Sequence, residues 1–267
     1  MLDLFNPSKE KELQGFLKRE AAKARVKPNN RAETSLWLPQ TVDAIDIATQ
    51  ATRDTDAIHG EVNSRIQKTH DLMEKSQLPV FQETVRSMRK LTAANGLHLE
   101  LGPTDIQTSK AIMLSGPLMR EGKSTPTIIF NPFVLLLQPH LAVVAICIVH
   151  ELEHIRDTIE LGKKYSKDDE KTKMDKILKE ISDPQKRVVF EGKGMAAGVK
   201  AYAQLSTATG LLFGEMGLNN YAMAFFKDAK GNINHPFWTT FIRAHNTASR
   251  PRSPIDIAIK TLQNPGK

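Results

Sequence analysis

The sequence predicts an α+β fold, predominantly helical, with a small mixed β-sheet placed just before one long helix that carries the pentad HELEH. Three observations lead there. Apolar residues recur at helical spacing through 38–75 and 78–96, the pattern of amphipathic helices. Three short apolar stretches, LHLEL at 97–101, AIMLS at 111–115 and TPTIIFN at 125–131, are separated by Gly-Pro and Glu-Gly-Lys-Ser turns and read as strands. An apolar run at 141–149 then leads without a break into HELEH at 150–154.

Along the chain, 8–27 reads as a basic, polar helix and PNNRAETS at 28–35 as a linker, because Pro, Asn and Ser cluster there. Residues 1–35 thus form an N-terminal arm, either mobile or laid over the body, ahead of a main domain at 36–248. Val42, Ile45, Ile58, Val62, Ile66 and Leu72 predict one long helix or two broken ones. The next helix has Pro79 near its start and Gly96 as its stop. The HELEH helix is expected to begin near Pro139, a good first-turn residue, and to end near Gly162, a good cap. The lysine-rich stretch at 163–180 reads as a solvated helix and loop. Ser182, Asp183 and Pro184 supply a cap and a first-turn proline for a helix over 185–207. Beyond it, 221–227 and 236–244 read as helical around the turn GNINHPFW, and 249–267 as a proline-punctuated tail.

A chain of 267 residues, 40% hydrophobic and 25% charged, suits one large domain, or one domain with an extension. Its first residues lack the apolar core and small-residue cleavage pattern of a secretory signal, and the runs 133–137 and 141–149 are too short for a membrane span. Cys147 is the only cysteine, which leaves no intrachain disulfide and makes a reducing compartment, the cytoplasm, the natural expectation. A protein delivered by a specialised secretion machine would look the same. The net charge of +7 permits contact with nucleic acid, acidic lipid or acidic proteins. That excess is not one block: residues 1–31 carry eight basic against four acidic side chains, and the stretch from Arg243 carries five against one. Neither interleaves its cations with aromatics as single-strand binders do, so a specific nucleic-acid role weighs little.

The chemistry lies in HELEH. On a helix His150 and His154 are one turn apart, so both imidazoles project from one face and can take neighbouring positions around a metal ion. Glu151 is turned about 100° from His150, off the line of the ligands, where it can hold a metal-activated water. Zinc brings the pKa of such a water near neutrality, and a carboxylate is then a sufficient base to take its proton as it attacks a carbonyl. The spacing assigns two ligands and one general base.

A catalytic zinc needs a third protein ligand. Glu191, in VVFEGKGMAAGVKAYAQ, is the best candidate, because the turns after it are unusually small: Gly192, Gly194, Ala196, Ala197, Gly198, Ala201. Glycine costs about 1 kcal/mol in a helix interior. Close approach of this helix to the HELEH helix, which would bring a short glutamate to the metal, is one reason for it; a tight crossing with Glu191 on the surface is the other reading. Glu160 stands six residues after His154, where another class of zinc protease places a ligand after a glycine reversal, but Asp157 occupies the glycine position, so the helix continues and Glu160 points away. Asp157 lies on the histidine face and is either an acceptor for a ligand imidazole or a plain surface carboxylate. His235 and His245 are further candidates for the metal or for a developing oxyanion, and Tyr202 and Arg243 for the oxyanion. Cys147 reads as core packing.

Taken together, TPTIIFN, VVAICIVHELEH and FEGKGMAAGVKAYAQ resemble the zincin metallopeptidases, in the gluzincin arrangement of H-E-x-x-H followed by a glutamate on a later helix. The resemblance spans about 97–204. It implies a zincin-like fold, with His150, His154 and Glu191 as zinc ligands and Glu151 as general base. It also implies that Thr127, Ile128, Ile129, Phe130 and Asn131 form the sheet edge to which an extended peptide adds as a strand. The best-known gluzincins have an aspartate four residues after the ligand glutamate; here Met195 stands there.

The expectation is therefore a zinc-dependent metallopeptidase acting on a peptide or protein substrate. Two rivals stand beside it: a zincin-like binding protein without proteolytic activity, and a basic nucleic-acid-associated protein that uses 9–31 and 250–267.

Overall fold

The computed structural model describes residues 7–38, 55–94, 96–102, 113–132, 135 and 140–210. Ten elements follow in order: α1 (Pro7–Lys23), α2 (Arg31–Trp37), α3 (Thr55–Lys75), α4 (Pro79–Ala93), β1 (His98–Leu101), β2 (Met113–Arg120), β3 (Lys123–Phe130), α5 (Leu141–Lys164), α6 (Glu170–Ser182) and α7 (Pro184–Thr209). The fold is mostly helical α+β with a three-stranded mixed sheet, as expected. The expected helices at 221–227 and 236–244, the tail, and Val42 and Ile45 lie outside the described residues. No helix among the described residues is long and apolar enough to cross a membrane.

α5 is the centre of the molecule. Leu141, Ala142, Val143, Val144, Ala145, Ile146, Ile148, Val149, Leu152 and Ile155 are all buried, so its first half is apolar on every side. Such a helix is stable only when surrounded. It packs against α3, α4, α6, α7, β2 and β3. Gly162 does not stop it: the helix runs on to Lys164, and two lysines in its last turn favour the carbonyl end of the dipole. α4 buries Phe81, Thr84, Val85 and Met88, a single stripe at helical spacing, and begins with Pro79 in its first turn as expected.

The expected linker is structured. Asn30 caps α2 by accepting a hydrogen bond from the Ala32 amide, while the amides of Asn29 and Asn30 donate to the carbonyls of Thr207 and Ala208 in the last turn of α7. The Asn cluster that reads as a break thus starts one helix and finishes another. The boundary expected at residue 35 falls inside α2. Of the two readings of the arm, packing favours the second: Phe16, Leu17 and Trp37 belong to the common hydrophobic core, and α1 and α2 both lie on α7.

In the sheet, β1 pairs parallel to β3 and β2 pairs antiparallel to it, in the order β1, β3, β2. Glu121 and Gly122, at φ of 47° and 74°, form the two-residue turn between β2 and β3. The hairpin is longer than the apolar segments AIMLS and TPTIIFN, because Gly116 and Pro117 continue β2 rather than end it. Arg120 and Lys123 flank the turn, so their pair exchanges ladder hydrogen bonds and every second pair from there does too. Pro117 then stands opposite Pro126 in a pair that exchanges none, where neither missing amide hydrogen costs a bond.

The expectation that Thr127 to Asn131 form a free edge is corrected here. β3 is the middle strand. Thr127, Ile128, Ile129 and Phe130 are paired with His98 to Leu101 on one side and with Gly116 to Met113 on the other. Where β1 stops, Pro126 has no amide to offer and the Ser124 amide donates to Glu170. Neither position offers an amide hydrogen to a further strand, and Asn131 is buried beyond the strand's end.

Candidate metal centre

The site forms where the middle of α5 meets the first half of α7. His150 and His154 stand one turn apart with Nε2 atoms 2.9 Å from each other, their rings edge to face at 77°. Glu191 Oε2 lies 3.6 Å from the first nitrogen and 3.7 Å from the second. A point equidistant from three atoms so spaced lies about 2 Å from each, the length of a zinc bond to imidazole nitrogen or carboxylate oxygen. These three residues are one of two metal-competent groups among the described residues. The other, His70, Asp71 and Glu74 on α3, lies on a more open surface, and its carboxylates are engaged by Gln67 and Arg89.

Gly194 makes the approach possible. It follows Glu191 by three residues and so shares its face of α7. A Cβ built there would stand 2.8 Å from His150 Nε2 and 2.9 Å from Cε1, closer than any real contact. The bare backbone of α7 is therefore the wall against which His150 rests.

Electrostatics tie the three groups together. Burial works to raise the Glu191 carboxyl, but hydrogen bonds and charge from His150 and His154 overcome it and hold the group below the ordinary carboxylate range. Burial works to lower His154, but Glu191, with Glu151 and Asp157 adding charge, raises it. A cation placed between these groups would replace the proton that His154 now favours.

Glu151 points off this triangle. Its Oε2 accepts a hydrogen bond from Ser115 Oγ of β2 at 2.6 Å. The other glutamate of the pentad, Glu153, pairs with Arg156, which reaches Ser87 and Glu83 of α4 and so braces the helix rather than the site. Asp157 is half-buried, and its Oδ1 accepts from Lys193 Nζ at 2.6 Å, a bridge from α5 to α7 just beyond the two histidines. Glu160 is exposed and pairs with Lys163. Tyr202 is fully buried on α7, eleven residues past Glu191 and so about 16 Å further along the helix, out of reach of the site. Burial, with Glu151 nearby, pushes the Cys147 thiol up to about 12, so it behaves as a small core side chain. His235, Arg243 and His245 lie outside the described residues.

Ser115 is the residue that sequence reasoning missed. Its only signal is a hydroxyl at the end of the apolar segment AIMLS. The chain matches no protein-family profile, no curated protein and no solved structure.

Proposed function

We propose that this chain is a zinc-dependent metallopeptidase of zincin-like fold. The observation that carries the reading is the triangle of His150 Nε2, His154 Nε2 and Glu191 Oε2, with spacings of 2.9, 3.6 and 3.7 Å, beside a fourth residue, Glu151, that faces elsewhere. Three ligands and a separate carboxylate suit a hydrolytic centre better than a structural one, which closes its fourth position with protein. His150, His154 and Glu191 would hold a zinc ion, which would supply a Lewis acid and bring the pKa of a water near neutrality. Glu151, outside the ligand set, would be the general base that accepts the proton of the attacking water and returns it to the leaving nitrogen, so that the peptide bond gives one carboxyl and one amine. His150 and His154 hold their places through α5, and Glu191 through α7.

The substrate strand in this reading lies on β2, not β3. Among the described residues β2 is paired on one side only, and the backbone groups of Met113, Ser115 and Met119 face its open edge. Pro117 at that edge has no amide to offer, a feature of protected edge strands that limits addition there to its carbonyl. A peptide added at Ser115 would run beside Glu151.

Protein equilibrated with zinc and desalted should retain about one ion per chain. Glu151→Gln should keep the ion and lose cleavage of a proteome-derived peptide library. Failure to hold zinc sinks the proposal, and zinc binding with no cleavage by the wild type leaves a non-proteolytic metal protein.

A further inference from the structure

The hydrogen bond between Ser115 and Glu151 joins the strand at the open edge of the sheet to the helix that carries the histidines. Ser115 sits opposite Ile128 in a pair that exchanges no ladder bonds, so its backbone faces the edge while its side chain faces α5. Its neighbour Gly116 faces the other way, where a Cβ would meet Ile181 of α6. The register of the hairpin therefore decides that a hydroxyl, and not a bare backbone, meets Glu151. A slip of one residue would reverse this.

We infer that Ser115 is a positioning residue that anchors the Glu151 carboxylate away from the metal's fourth position. This rests on the metallopeptidase reading above and adds a role to it. The chemical problem is specific. Glu151 follows His150 directly and is close enough to act electrostatically on His154. A glutamate side chain has three rotatable bonds, and a carboxylate is itself a good zinc ligand. Unanchored, it would swing toward the cation and fill the position that water needs. With Oε2 held by Ser115 at 2.6 Å, Glu151 stays beside the triangle with Oε1 left to receive a proton. Hydrogen bonds to a charged carboxylate are the strong ones, so a single hydroxyl suffices to bias the rotamer. The same residue offers its backbone to a peptide laid on β2, which links substrate pairing to the placement of the base.

The test is made on the full chain loaded with cobalt in place of zinc, because the visible bands of cobalt report coordination number without a substrate. Wild type should give the intense bands of a four-coordinate ion. Ser115→Ala should weaken these bands severalfold as Glu151 joins the coordination, and Ser115→Thr, which keeps the hydroxyl, should restore them. The double variant Ser115→Ala with Glu151→Gln should also restore them, since the competing carboxylate is gone. Once a substrate is in hand, Ser115→Ala should lower kcat about tenfold or more with KM little changed, the pattern of an interaction used in the chemical step. An unchanged spectrum in Ser115→Ala, or weak bands that persist in the double variant, overturns the inference while leaving the metal site standing. A wild type that binds no cobalt overturns both.

Discussion

Gly194 stands against His150 so closely that a methyl group at 194 would lie 2.8 Å from the imidazole Nε2. Two effects oppose each other in Gly194→Ala. Helix propensity favours alanine by about 1 kcal/mol. The contact disfavours it, and the ring yields only by turning, which takes Nε2 off the point it shares with His154 and Glu191. We expect a variant that melts within a few degrees of wild type yet binds zinc about 10- to 100-fold more weakly, the range seen when the support of a ligand is disturbed. Calorimetric titration with zinc decides this, and undiminished affinity would mean that the glycine serves helix packing alone.

The contrast between α7 and β3 shows where the sequence was informative. The helical spacing of His150 and His154 is a local property, and three glycines in seven residues are a local cost that a close neighbour explains, so the candidate cluster of His150, His154 and Glu191 was legible before the helices were seen to meet. Strand order is not local. TPTIIFN has the same alternation whether it lies at an edge or in the middle, and nothing in it records that β1 joins it in parallel across an intervening strand. The partner of Asp157 was hidden for the same reason, since Lys193 lies 36 residues away and meets it only once the helices cross. Asn29 and Asn30 misled in another way: Asn favours both loops and caps, and the choice between them depends on the end of α7.

Glu33 should be the most sensitive polar residue of the amino-terminal part. It is 1% exposed and accepts from Trp37 Nε1 at 3.0 Å, from Ser76 Oγ at 2.8 Å and from the Gln77 amide, stitching α2 to the end of α3. Glu33→Ala leaves three donors without an acceptor, two of them on buried side chains, each at a cost of about 1 kcal/mol or more. We expect a loss of about 3 kcal/mol in urea unfolding, and about half that for Glu33→Gln, which keeps one acceptor oxygen. A loss below about 1 kcal/mol would show that water reaches these donors.

On the proposed reading, stripping zinc from the loaded protein should weaken it without unfolding it. The core around Val144, Ile146, Leu152 and Ile155 is apolar and needs no ion to hold α5 in place. Zinc at a thousand times its Kd adds about 4 kcal/mol to the folded state by mass action. For a domain of this size that corresponds to a fall in Tm of roughly 10 °C when a chelator is added. Far-ultraviolet dichroism at 25 °C should not change. A chelated protein that loses its helices at that temperature would place the metal in the folding nucleus instead.

Acid should loosen the far end of the same helices. Glu180 of α6 accepts from Lys164 Nζ at the end of α5, from the Tyr165 hydroxyl just beyond it, and from Lys186 Nζ in the first turns of α7. Lys164 first, then Lys186 and Tyr165, hold its carboxyl down at about 2, against an ordinary value of 4.5. A carboxyl with a depressed folded value stabilises fully above its unfolded value and loses that contribution as pH falls. The window here runs from about pH 4.5 down to pH 2. The pairs are partly screened by solvent, so the contribution is of the order of 1 kcal/mol. Glu180→Gln should lower stability by about that amount at pH 7 and flatten its dependence on pH across the window, because the variant has no proton to bind there. Urea midpoints for both proteins at pH 7, 4.5 and 2.5 measure the difference. If the gap between them stays constant across the series, the three donors act by packing and Glu180 does not depend on its charge.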